Sequence, residues 1–139
     1  MLSNEKAKDI GLLLIRLGIG ASMLIFHGNA KIMSGPESWA KLGGNMTIIG
    51  VTFLPAFWGF MAAFSEVVAS LFIMLGILFR PAAALLAFTM LIAVLTHMNL
   101  SSLVFSPDWE DASHAIEFLS IYTGLLFIGP GRFGVTFKK

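Results

Sequence analysis

The chain contains no cysteine, which excludes thiol catalysis, disulfide relays, thiolate-held iron–sulfur clusters and cysteine-based zinc sites. The four-helix membrane enzymes that exchange disulfides are excluded with them. Charge is scarce as well: 12% of the 139 residues are Asp, Glu, Lys or Arg, where an average soluble domain has about 25%. Nine Lys and Arg against eight Asp and Glu leave a net charge of +1. They are scattered, so the chain offers no clustered basic surface for nucleic acid phosphates. A dinucleotide fingerprint is absent too. Disorder is excluded because 57% of the residues are hydrophobic, with 13 Phe and 3 Trp. A single integral membrane domain covering residues 1–139 is what remains.

A bilayer core about 30 Å thick needs roughly 20 mostly apolar residues per helical span. Four segments meet that need, at about residues 10–33, 56–79, 81–100 and 112–128. The first follows a polar lead, Asn4 to Asp9, and is interrupted only by Arg16 and His27. It is too long for a signal-peptide core and lacks a convincing small-residue cleavage site. The second follows Leu54-Pro55 and carries Glu66, the third begins at Pro81 and carries His97, and the fourth stops at Gly129-Pro130-Gly131. The predicted fold is therefore all-α, an integral membrane four-helix bundle. Lys6, Lys8, Arg80, Arg132, Lys138 and Lys139 fall on one side of it. Lys31 and Lys41 fall on the other, among Glu37, Asp108, Glu110 and Asp111. Positive charge is retained in the cytoplasm, so both termini are expected there, in a multi-pass protein of the cell membrane.

Residues 34–54 are long for a connection. Trp39, Leu42, Met46 and Ile49 recur at three- and four-residue steps, the pattern of a helix lying in the membrane interface. Gly43-Gly44 argues against an unbroken helix, and Gly50 is its natural end. The plainer alternative is a surface loop.

Ionisable residues inside a bilayer are costly and mark candidate sites. Counting about 1.5 Å per residue from the inner boundary puts Glu117, Glu66, His114, His97 and His27 between roughly 18 and 27 Å up, and Arg16 at about 10 Å. The expectation is one polar cluster in the outer half above a single arginine. Gly20, Ala62, Ala69, Ser70, Ala93 and Gly124 share faces with these residues, consistent with helix–helix contacts. Arg16 beside Glu66 or Glu117 reads equally as a packing pair, and His27 and His114 lie where interfacial histidines are ordinary. The methionines form no clustered motif and fit gap-filling roles. Di-metal bundles use more carboxylates and paired Glu-x-x-His motifs, whereas this chain has one reversed His114-x-x-Glu117. No metal site is expected, and no motif selects haem.

Several motifs occur in a fixed order. They are Leu14-Ile15-Arg16-Leu17-Gly18, His27-Gly28-Asn29-Ala30-Lys31, Leu54-Pro55, Glu66, Leu75-Gly76-Ile77-Leu78-Phe79-Arg80, Glu117, and Gly129-Pro130-Gly131-Arg132. With them the chain resembles the DoxX family of small four-helix membrane proteins over nearly its whole length. The resemblance implies membrane redox chemistry: the family name comes from subunits of a thiosulfate:quinone oxidoreductase, while distant relatives act as assembly factors. Carried over by position, Arg16, His27, Lys31, Glu66 and Glu117 are the family-level polar residues. The function expected first is a quinone-linked redox component. Glu66, Glu117 and His97 would do its acid–base work, and Arg16, His27, Lys31 and His114 would bind the substrate. Its partners would be the lipid bilayer, an electron-donating or other membrane subunit, and possible further copies of the chain. The alternative is a non-enzymatic assembly factor or structural subunit whose buried ions only fix packing.

Overall fold

A computed structural model describes residues 3–98 and 107–135. The end of the third expected span, most of the loop after it, and Lys138 and Lys139 lie outside the described residues. Every regular element among the described residues is helical. We number the helices α1 (Asn4–Ile32), α2 (Pro36–Gly43), α3 (Pro55–Leu75), α4 (Phe79–His97) and α5 (Trp109–Ile128).

α1 starts ahead of the predicted span because Ser3, in extended conformation, accepts a hydrogen bond from the backbone of Lys6 and caps it. The polar lead is thus helical and exposed, and apolarity marks only the part of the helix that begins after it. Within α1 the backbone widens into a π segment over Met23–Gly28, and within α3 it does so again over Ser65–Ala69. The two π segments face each other. Gly28 permits that contact, since a Cβ there would stand 2.9 Å from the carbonyl carbon of Glu66.

The predicted interfacial segment is helical in two pieces. Gly35, at φ 83°, and Pro36 open α2; at Gly44 the helix tightens to a 3-10 segment, Gly44–Ile49, which ends at Gly50 in the left-handed conformation. α2 lies against the start of α3 through two glycines. A Cβ on Gly43 would overlap the Pro55 carbonyl oxygen, and one on Gly59 would overlap the Trp39 carbonyl oxygen. Trp39 also ties α2 to the end of α1 by donating its indole proton to the Lys31 carbonyl at 2.8 Å, which accepts from the Ser34 amide and hydroxyl as well.

α3 ends at Gly76 (φ 74°), whose amide and that of Ile77 return to Phe72 as the chain reverses into α4. α4 starts at Phe79, so Pro81 occupies its first turn rather than its first residue. α4 packs along both α3 and α5, and α1 packs on α3. Met23, Ile73, Ala83, Leu86, Tyr122 and Leu125 form the centre of the core. Leu14, Ile15, Leu17, Ile25 and Phe26 on α1 remain exposed, as do Phe57, Phe88, Phe127 and Ile128 elsewhere. Apolar side chains facing outward around buried polar ones suit a lipid environment. Among the described residues, three helices, α1, α3 and α4, are long and apolar enough to cross a membrane. α5 is as long but carries Glu110, Asp111, His114 and Glu117.

Candidate functional site

The ionisable residues occupy three places: Arg16 stands apart, as expected, and the expected cluster divides in two. Arg16, 1% exposed, lies beside the turn between α3 and α4. Its guanidinium donates to the carbonyls of Ile73 at 2.9 Å, Met74 at 2.9 Å and Pro130 at 2.7 Å. Phe79 lies 5.5 Å below it as a cation–π partner. The expected pairing with Glu66 or Glu117 is therefore corrected. Arg16 closes the C-terminal end of α3, where carbonyls lack helical partners, and ties it to the turn after α5. Five donors in a rigid fork suit that task. The chain end joins the same knot: the Val135 amide donates to Leu75 at 3.2 Å, and Asp9 accepts from the Arg132 amide at 3.1 Å.

Lys31, Glu66 and His97 come together around one cavity. Glu66 projects from the π segment of α3, 1% exposed, and its Oε1 accepts from Lys31 Nζ at 2.6 Å. π segments displace side chains from the regular helical register and recur at functional sites. Glu66 Oε2 has no partner. The adjoining cavity measures about 500 Å³ and runs from Lys31 and Glu66 to His97. Phe57, Trp58, Met61 and Phe88 supply apolar wall, and the interfacial segment closes one side with Leu42, Gly43 and Met46. A few polar groups in a mostly apolar chamber of this size match the usual form of a small-molecule site. Trp58 also leaves its buried indole Nε1 without an acceptor. At the far end His97 Nδ1 stands 3.8 Å from Asp111 on α5.

His27, His114 and Glu117 line a second, more open cavity of about 470 Å³ between α1 and α5. His27 meets the edge of Phe118 at a centroid distance of 5.3 Å, and His114 lies 3.8 Å from Glu117. Both His114 and Glu117 are exposed. Among the described residues, no three His, Asp or Glu side chains gather at metal-binding distance.

Trp58 and Tyr122 were not singled out by sequence reasoning. Trp58, in the first turn after Pro55, carries only the ordinary signal of an interfacial aromatic. Tyr122 is the one tyrosine of the chain; it sits wholly buried on a helix whose ionisable residues otherwise fall in its first half.

No curated protein and no solved structure matches the chain significantly. The DoxX family model matches residues 11–99, a stretch that holds Arg16, both π segments, the Lys31–Glu66 pair and His97. The chain belongs to the DoxX family.

Proposed function

We propose that the cavity between Lys31 and His97 receives the ring of a quinone, and that the protein is the quinone-binding subunit of a membrane oxidoreductase. The observation that carries this reading is an apolar, aromatic-walled cavity of about 500 Å³ beside a fixed ammonium group, with Trp58, whose buried indole Nε1 has no acceptor, among its lining residues. A ring carbonyl supplies the missing acceptor. When bound, a quinone takes up two electrons and two protons. Lys31 and the Trp58 indole would hold the carbonyl oxygens, and Glu66 fixes the Lys31 ammonium against the cavity. His97, beside Asp111 near the start of α5, would exchange protons with water outside. The electrons come from a partner protein, since the chain has neither the cysteines of an iron–sulfur site nor a dinucleotide motif.

The reading extends to topology: α5 crosses the bilayer with the other three long helices, and both termini are cytoplasmic. Reporter fusions to the two ends test this, with a periplasmic signal from either end counting against it. Binding is tested by titrating a short-chain ubiquinone into the detergent-purified protein and following tryptophan fluorescence. Saturable quenching, weakened at least tenfold in apparent affinity by Lys31→Met, supports the proposal. Folded protein without saturable quenching overturns it and favours the non-enzymatic assembly subunit.

A further inference from the structure

Three polar atoms at the centre of the fold have no hydrogen-bond partner: Glu66 Oε2, Ser70 Oγ and the Tyr122 hydroxyl oxygen. None of the three residues is more than 1% exposed. Buried oxygens of this kind are satisfied in native proteins by protein groups or by ordered water, because leaving them bare is costly. In membrane helices a serine or threonine hydroxyl ordinarily returns its proton to a carbonyl one turn back. Ser65, Thr89, Thr96, Ser113 and Ser120 all do so. Ser70 does not, although it is the most deeply buried of them.

The three groups converge from two helices. Ser70 follows Glu66 by one turn on α3, immediately after the π segment. Tyr122 enters from α5, its ring stacked on Phe118 at a centroid distance of 6.1 Å. Its hydroxyl lies beside that of Ser70 and in the field of the Glu66 carboxylate, yet makes no hydrogen bond of acceptable geometry to either. Tyr122 belongs to the same buried cluster as Met23, Ala69, Ile73 and Met90, and its hydroxyl oxygen is shut off from bulk water.

We propose that Glu66, Ser70 and Tyr122 hold one buried water molecule, and that Tyr122 is thereby a positioning residue for the Lys31–Glu66 pair. Three partners is the usual complement of an internal water. The water donates to Glu66 Oε2 and accepts from the Tyr122 hydroxyl, and Ser70 completes its shell. Glu66 is then held on both sides, by the Lys31 ammonium at Oε1 and by the water at Oε2. α5 is also coupled to an ion pair that its backbone does not reach. Nothing in this depends on what occupies the neighbouring cavity.

The test uses the full-length protein in detergent and needs no ligand. Tyr122→Phe and Ser70→Ala each remove a hydroxyl and little volume. If the hydroxyls bind water, each variant lowers the melting temperature by about 3 °C or more, and the double variant lowers it by less than the sum, since both serve the same molecule. Because the chain has a single tyrosine, labelling tyrosine at its ζ carbon with 13C gives one resonance that reports this hydroxyl alone. That resonance is expected to move in Glu66→Gln and in Ser70→Ala, a response that packing alone would not give, and it keeps the test open if Tyr122→Phe does not fold. Unchanged or raised melting temperatures, additive losses, or an unmoved resonance would each overturn the proposal.

Discussion

The Lys31 ammonium stands 2.6 Å from the Glu66 carboxylate, and the two differ sharply in their surroundings: 36% of the lysine side chain is accessible, but only 1% of the glutamate. The burden of burial therefore falls on one partner. The ammonium at the end of α1 neutralises a carboxylate that the π segment of α3 carries into the fold.

Removing the lysine alone leaves a buried, uncompensated charge. Lys31→Met is expected to cost about 3–5 kcal/mol of stability. Lys31→Met combined with Glu66→Gln should recover most of that loss, because no isolated charge remains. Melting curves of the two variants in one detergent decide it, and equal destabilisation would show that the pair is not coupled.

Arg16 answers to different chemistry. Its three hydrogen bonds use three different guanidinium nitrogens and end on carbonyls of two separate segments, so Arg16→Lys keeps the charge and loses the geometry. We expect about 3 kcal/mol of destabilisation for Arg16→Leu, from the stranded Met74 and Pro130 carbonyls at about 1–3 kcal/mol each, the Ile73 carbonyl keeping the Gly76 amide. Arg16→Lys should fall closer to Arg16→Leu than to the unsubstituted protein. The monodisperse fraction on size exclusion after mild heating measures this order.

The docking of α2 on α3 is set by glycines rather than by large side chains. Gly59→Ala places a methyl group against the Trp39 backbone, which cannot yield as a flexible side chain would. α2 should lift from α3 and open the cavity wall it supplies. Limited proteolysis is expected to cut within residues 34–54 at least tenfold faster in this variant, whereas Gly18→Ala, with open space at its Cβ, should leave the rate unchanged.

The two cavities make a further distinction. Glu117 lines the groove between α1 and α5, apart from the Lys31 cavity. Glu117→Gln should leave quinone quenching of tryptophan fluorescence within about twofold of the unsubstituted protein, and Trp58→Phe should remove most of the signal. A loss of binding in Glu117→Gln would move the ring into the other groove.

Helical content and the long segments were legible because they depend on hydropathy and on punctuation by proline and glycine. The helical character of residues 34–54 was legible down to the break at Gly43-Gly44 and the end at Gly50. His27, Glu66, His97, His114 and Glu117 were expected at similar heights in one cluster, and the structure sorts them into two cavities. The faces they present were not legible, because the ruler assumed regular helices and two of them contain π segments, each of which turns the downstream residues. One expected cluster became two cavities. The partners of Arg16 escaped for another reason: backbone carbonyls leave no mark in a sequence, so a search for opposite charges overlooked them.

A π segment behaves as a regular helix that has taken in one residue more than its turn can hold. Deleting a single residue between Met23 and Gly28 would let that stretch close into an ordinary helix, and the residues beyond it would keep their facing, because the wide turn already absorbs the extra residue's rotation of about 100°. Winding the present sequence as an ordinary helix would instead swing Lys31 away from Glu66, with composition and hydropathy unaltered. The ion pair thus hangs on how this stretch is wound as much as on the identity of its residues. Among homologues, a one-residue gap at this point is expected to accompany an ordinary helix and a retained lysine–glutamate pair.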